Sequence, residues 1–105
     1  MWMKNIIYFD VDDTLVRSFG KKRIPIPAAI AHVRLLKENG ADLYLWSSGG
    51  AEYCRLTAQE LGIEDCFIAF LPKPTIYVDD QPVHEWRLCK HLYPGQTANA
   101  LDYFK

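Results

Sequence analysis

Apolar residues recur along the chain with two periods, one typical of strands and one typical of helices. Residues 6–11 are almost continuously apolar, which predicts a strand buried on both faces, as in a parallel sheet. Polar residues then crowd positions 17–23, with Gly20 as a turn. Pro27 suits a first helical turn, and the apolar stripe after it predicts a helix that closes at Gly40. This part of the chain therefore predicts a strand, a polar loop and a helix.

The same alternation continues through the rest of the chain. Residues 41–46 and 66–71 predict two further strands, and the turn at 47–50 leads into a helix that ends before Gly62. Later signals predict a fourth strand at 75–78, a third helix from about Val83 to Pro94, and an edge segment or short strand at 96–105. Strands that alternate with helices predict a mostly parallel central sheet with helices on both faces. The expected fold is a Rossmann-like three-layer α/β/α sandwich, in a single domain over residues 1–105.

Composition narrows the class of protein further. The chain has 105 residues, of which 50% are hydrophobic, and a net charge of -1. This balance gives no support to a nucleic-acid partner, although one stays open, and no apolar run is long enough to span a membrane. The three cysteines never fall in a CxxC spacing, so neither a disulfide framework nor a zinc site is indicated. We therefore expect a cytoplasmic protein without a membrane partner.

Polar side chains follow the predicted strands, at the point where each strand ends. The clusters are Asp10 with Asp12 and Asp13, Ser47 with Ser48, Lys73, and Asp79 with Asp80. Because ligands bind outside the carboxyl ends of strands in open α/β sheets, we expect these clusters to converge on one edge. Crowded carboxylates repel one another unless a cation lies between them, and Mg²⁺ prefers such oxygen ligands. A lysine and a turn at a helix N-terminus add donors for a tetrahedral anion, so the combination suits phosphoryl transfer.

Four short motifs, in this order along the chain, resemble those of the haloacid dehalogenase superfamily. They are DVDDT at 10–14, LYLWS at 43–47, Lys73, and IYVDD at 76–80. The resemblance implies a fold like that of the superfamily, and the short intervals between the motifs leave no room for a cap domain. It also implies a Mg²⁺-dependent phosphohydrolase that acts on phosphate monoesters.

The resemblance further implies a role for each motif residue. Asp10 would be the nucleophile that forms an aspartyl-phosphate, and Asp12 would be the general acid and base, with Ser47 and Lys73 completing the catalytic set. The substrate phosphate would be bound by Ser47, Ser48, Gly49 and Lys73. Mg²⁺ would be bound by Asp10, by Asp12 through its backbone carbonyl, and by Asp79 and Asp80. Which of Ser47 and Ser48 belongs to the second motif, and which of Asp79 and Asp80 contacts the metal directly, stays open. Asp13 is expected in a turn-stabilising role.

The substrate itself is not fixed by these residues. A phosphorylated small molecule is favoured over a macromolecule, and association into a homo-oligomer stays open. Two other functions compete with the phosphohydrolase: a catalytically silent binding or structural protein with the same fold, and a phospho-accepting domain like a signalling receiver. Lys21, Lys22 and Arg23 predict a solvated turn, with contact to a substrate phosphate or a nucleic acid as the less favoured alternative.

Overall fold

The computed structural model describes residues 5–102, and within them it has five strands and two α-helices. The strands are β1 (Ile6–Asp10), β2 (Val16–Phe19), β3 (Lys22–Pro25), β4 (Asp42–Ser47) and β5 (Phe67–Pro72), and the helices are α1 (Pro27–Glu38) and α2 (Ala51–Glu60). Three short 3-10 segments cover Glu64–Cys66, Val83–Glu85 and Pro94–Asp102. The first three predicted strands and the first two predicted helices are confirmed, with ends that differ by a residue or two.

The strands form two separate sheets. Strands β1, β4 and β5 make a parallel sheet in the order β1-β4-β5, with Tyr8 opposite Tyr44 and Asp10 opposite Trp46. Strands β2 and β3 form an antiparallel hairpin, which turns at Gly20 with a φ of 63°. The sequence predicted only a polar loop there, because the hairpin has too few apolar residues to show an alternating pattern. The described chain is thus a small α/β structure with a parallel sheet and an antiparallel pair.

Both helices pack on one face of the parallel sheet. The chain moves steadily from β1 through β4 to β5, and right-handed crossovers in a constant direction place α1 and α2 on the same side. The core is formed where the sheet meets these helices, and its members include Phe9, Val33, Leu36, Leu43, Leu45, Cys54 and Ala58. The opposite face is open, since Tyr8 is 45% exposed. The described residues therefore form two layers, and burial of β1 on both faces is a wrong prediction.

The third layer of the predicted sandwich is missing from the described residues because its elements do not form. The predicted strand at 75–78 is irregular and exposed. Only Lys73 and Pro74 separate it from β5, whereas a crossover to another parallel strand needs about a dozen residues. The predicted helix from Val83 is reduced to one 3-10 turn, Val83–Glu85. Without a strand beside it, a helix of this length has no surface on which to bury its apolar stripe, and isolated helices this short are marginal in water.

The end of the described chain lies against α1. The 3-10 segment Pro94–Asp102 contacts this helix, and Thr97 and Ala100 within it are buried. Asn5 Nδ2 donates a hydrogen bond of 3.1 Å to the Ala100 carbonyl oxygen. The predicted edge strand is therefore wrong over 96–102, and residues 103–105 lie outside the described residues. Between residues 5 and 102, no helix is both long and apolar enough to cross a membrane.

Neighbouring leucines on α1 test whether the two-layer core carries the stability of the fold. Leu36 is 1% exposed in the core, and Leu35 beside it is 41% exposed. We expect Leu36→Ala to lower the free energy of unfolding by about 2–5 kcal/mol, because it leaves a cavity under the sheet. Leu35→Ala is the matched control and should change that free energy by no more than about 0.5 kcal/mol. Urea unfolding followed by circular dichroism measures both, and equal losses would contradict the described packing.

Candidate functional site at the carboxyl edge of the sheet

The loop after β1 is wound around one carbonyl group. The Val11 oxygen accepts hydrogen bonds from the backbone N–H groups of Thr14, Leu15 and Val16, the shortest being 2.9 Å from Leu15. Val11 and Leu15 have no exposed surface, so they anchor the loop in the core. Asp13 takes the left-handed conformation, with a φ of 62°, and its N–H donates to the Val16 oxygen. This winding leaves the Asp12 side chain exposed just beyond the end of β1.

The turn between β4 and α2 is built around Ser47. This side chain is buried, and its Oγ accepts a 3.0 Å hydrogen bond from the Gly49 N–H, while Ser48 is exposed. A Cβ on Gly49 would lie 2.8 Å from Cδ2 of Tyr53, and Gly50 has a φ of 101°, so both positions favour glycine. Ser47 thus shapes the turn from inside, and Ser48 faces outward.

Lys73 comes to the same edge from the end of β5. Its backbone N–H donates a 2.9 Å hydrogen bond to the Ser47 carbonyl oxygen, which continues the pairing of the two strands. Its Nζ lies 3.1 Å from Oδ1 of Asp10, and each side chain is about one-third exposed. The same Nζ is 5.9 Å from the centre of the Trp46 ring. Lys73 and Asp10 therefore form an ion pair that solvent and a ligand can reach.

Tyr53 is a site residue that the sequence reasoning missed. Its hydroxyl donates a 2.7 Å hydrogen bond to Oδ1 of Asp12. Partial burial raises the pKa of Tyr53, and the hydrogen bond to Asp12 raises it further, so the phenol stays protonated at neutral pH. The sequence did contain a signal for this residue. Tyr53 is the third residue of α2, and helical side chains point back towards the helix N-terminus, which here lies at the sheet edge.

Arg23 supports this tyrosine from the hairpin. Its guanidinium carbon lies 4.9 Å from the centre of the Tyr53 ring, as in a cation–π contact. The same guanidinium donates 2.7 Å to Oγ1 of Thr57 and pairs with Glu60 at 3.2 Å. Arg23 therefore ties the hairpin to α2, which differs from the solvated turn that the basic run 21–23 predicted.

Within the described residues, the second acidic pair does not gather with Asp10 and Asp12 into a group that could hold a metal ion. Asp79 and Asp80 are exposed, and Oδ1 of Asp79 accepts a 2.9 Å hydrogen bond from the Gln81 N–H. Over residues 5–102, no three His, Cys, Asp or Glu side chains gather closely enough to hold a metal ion. The four predicted metal ligands are therefore not assembled. The Asp10 carboxylate and the backbone carbonyl oxygen of Asp12 remain as oxygen donors, and proteins commonly hold Mg²⁺ with one or two carboxylates together with substrate phosphate.

Cys54 is buried, and the charges of Asp10 and Asp12 act on its thiol. Burial raises the pKa of its thiol, and the negative charges of Asp10 and Asp12 raise it further, while Sγ contacts the Leu71 carbonyl oxygen at 3.7 Å. Burial likewise raises the pKa of Cys66, whereas Cys89 is exposed. Since the thiolate is the reactive form and both side chains are buried, we expect Cys54 and Cys66 to react more slowly than Cys89.

Alkylation tests this assignment of the three thiols. We expect iodoacetamide at pH 8 to modify Cys89 rapidly, and to modify Cys54 and Cys66 only after urea unfolds the chain. Because the two buried thiols bind protons more tightly in the folded state, the free energy of unfolding should fall as pH rises above their ordinary pKa of 9.0. Mass spectrometry of peptides from labelled protein gives the order, and early labelling of Cys54 would contradict the described packing.

The part of the chain that carries this site matches one known protein family. Residues 1–73 match the model of a family described as "Protein of unknown function (DUF705)". No curated protein and no solved structure matches the chain. The resemblance to the haloacid dehalogenase superfamily is therefore wrong as a family assignment. Its fourth motif, at 76–80, also lies beyond the matched residues. Ligand-binding groups outside the carboxyl ends of strands are a general feature of open α/β sheets, so they do not identify one family.

Proposed function

The chain belongs to the DUF705 family of proteins of unknown function, and from its sheet edge we propose that it is a Mg²⁺-dependent phosphomonoesterase. One observation carries the proposal: the carboxylate of Asp10 is 3.1 Å from the ammonium of Lys73, at an accessible edge where three parallel strands end. A nucleophilic carboxylate beside a cation is what formation of an aspartyl-phosphate requires.

Asp10 is the proposed nucleophile. One of its oxygens attacks the phosphorus atom of the substrate, and an oxygen–phosphorus bond forms while the bond to the leaving group breaks in line. Lys73 lies beside this carboxylate and stabilises the negative charge on the phosphoryl oxygens in the transition state. The product of this half-reaction is an aspartyl-phosphate on Asp10 and a free alcohol.

Asp12 is the proposed general acid and base. Tyr53 donates to Oδ1 of Asp12 and so fixes the orientation of the carboxyl group, which leaves Oδ2 for proton transfer. Asp12 gives a proton to the departing oxygen. It then takes one from the water that attacks the aspartyl-phosphate, and this attack releases inorganic phosphate and restores Asp10.

The turn before α2 completes the anion-binding surface. Among the described residues, no side chain caps α2, so the first N–H groups of this helix are free to face a phosphoryl oxygen. Ser48 adds an exposed hydroxyl, and buried Ser47 holds the turn in shape. Mg²⁺, when bound by the Asp10 carboxylate and the backbone carbonyl oxygen of Asp12, would supply positive charge to the phosphoryl group.

Partner and compartment follow from the same features. We take a phosphorylated small molecule as the substrate, because the charged groups form a compact cluster at the end of three strands rather than an extended basic surface. We propose a reducing cytoplasm, since Cys54, Cys66 and Cys89 are all free thiols.

Phosphate release from a panel of phosphomonoesters tests the proposal. We expect turnover with Mg²⁺ and its loss after EDTA, with recovery when excess Mg²⁺ is returned. The recovery step separates loss of the metal from damage to the protein, and circular dichroism checks that EDTA leaves the fold intact. Equal release with and without the metal would remove Mg²⁺ from the proposal. No release from any substrate by the folded protein would favour a silent binding protein.

A further inference from the structure

Three aromatic side chains form a continuous cluster on the open face of the parallel sheet. The Tyr8 and Tyr44 rings stack with centres 4.9 Å apart, and the Tyr8 and Trp46 rings are nearly perpendicular, with centres 5.0 Å apart. These residues take no part in the core, which lies on the other face of the sheet. The proposed chemistry does not use them either.

The aromatic cluster leads directly to the proposed phosphoryl site. Tyr8 and Asp10 are two residues apart on β1, so their side chains lie on the same face, and Tyr44 and Trp46 are their partners on β4. Lys73 joins the two parts, with its Nζ 3.1 Å from Oδ1 of Asp10 and 5.9 Å from the centre of the Trp46 ring. A ligand whose phosphate lies at Lys73 would therefore extend its other end over aromatic rings.

The chemistry of the face selects one kind of occupant. Tyrosine and tryptophan stack with flat ring systems, and a single stacked base contributes about 1–3 kcal/mol. An aliphatic sugar phosphate would leave Tyr8 exposed, as it is in the free protein, at 45%. A flat ring attached to the phosphate would cover it. Charge also favours a phosphorylated ligand, because the Lys73 ammonium lies beside Trp46 at one end of the cluster.

We propose that the cluster of Tyr8, Tyr44 and Trp46 binds a flat aromatic ring in the leaving group of the substrate. This inference rests on the proposed phosphomonoesterase and narrows its substrates to phosphate monoesters that carry such a ring. Two sources share this chemistry: the base of a nucleoside monophosphate and the ring of an arylmethyl phosphate.

Matched substrates test the inference by rate. Adenosine 5′-monophosphate is compared with ribose 5-phosphate, in which a hydroxyl replaces the base, and benzyl phosphate is compared with cyclohexylmethyl phosphate. In each pair the leaving group is a primary alcohol of similar basicity. We expect kcat/KM to be about tenfold higher or more for the aromatic member of at least one pair. The pair with the larger ratio identifies the source of the ring. Ratios near one in both pairs, with turnover present, would overturn the inference and leave the phosphomonoesterase standing.

A substitution assigns the preference to the cluster. Tyr8→Thr should lower kcat/KM for the preferred aromatic substrate by about tenfold and leave its aliphatic partner unchanged, because a stacking surface is lost. Tyr8→Phe keeps the ring and should retain the preference. Phe19→Thr is the matched control, since Phe19 is 75% exposed on the hairpin. Equal effects of Tyr8→Thr and Phe19→Thr would overturn the role of the cluster.

Binding without turnover separates the inference from the proposed reaction. Isothermal titration of the Asp10→Asn variant with adenosine 5′-monophosphate, ribose 5-phosphate, benzyl phosphate and cyclohexylmethyl phosphate needs no catalysis. Tighter binding of an aromatic member, lost in Asp10→Asn with Tyr8→Thr, would support the inference even if no substrate is hydrolysed. Equal binding within both pairs would overturn it, whatever the rates are.

Discussion

Asp10→Asn should lower phosphate release by at least about a thousandfold, because an amide oxygen cannot replace the attacking carboxylate. The substitution keeps the size and shape of the side chain at the end of β1. It also removes the ion pair with Lys73, but a pair that is one-third exposed contributes no more than about 1 kcal/mol to stability. The variant should therefore fold, and circular dichroism and urea unfolding check that it does.

Asp13→Asn is the control that the chain itself offers. It makes the same chemical change three residues away, at an exposed position whose φ is 62°, and asparagine tolerates that conformation well. We expect its rate to stay within about twofold of wild type, because Asp13 only shapes the turn. If Asp10→Asn and Asp13→Asn lose activity equally, or if neither does, Asp10 is not the nucleophile.

The part of the fold that could be predicted from the sequence is the part fixed by local pattern. Pro27 and the stripe through Leu36 define α1, and continuous apolar runs define β1, β4 and β5. The same apolar pattern gave a wrong prediction of burial where burial depends on how the strands are connected. An apolar run does not show that both crossovers lie on one face, so the exposure of Tyr8 could not be anticipated from β1 alone.

The candidate site was predicted in the same uneven way. Because ligands bind outside the carboxyl ends of parallel strands, we predicted that Asp10, Ser47 and Lys73 lie at one edge of the sheet. The structure places them there. Tyr53 was missed because it reaches the site from a helix. Asp79 was expected beside Asp10, but this required a fourth parallel strand, and two residues after β5 are too few for the crossover.

Lys73→Met should lower phosphate release by about a hundredfold to a thousandfold, the usual effect of removing one donor to a developing oxyanion. Methionine keeps much of the length and apolar surface of the lysine stem but removes the cation beside Asp10. If Lys73 stabilises charge mainly as phosphorus transfers, kcat should fall more than KM rises. A change confined to KM would instead assign Lys73 to binding of the ground state.

Lys90→Met is the matched control for Lys73→Met, because Lys90 is exposed in the irregular segment between β5 and the last 3-10 segment. We expect its rate to equal that of wild type. Lys73→Arg should recover part of the activity, since it restores the positive charge but presents it as a planar fork rather than a compact ammonium. If Lys73→Met and Lys90→Met behave alike, the ion pair with Asp10 is a surface contact, and the observation that carries the proposed function is lost.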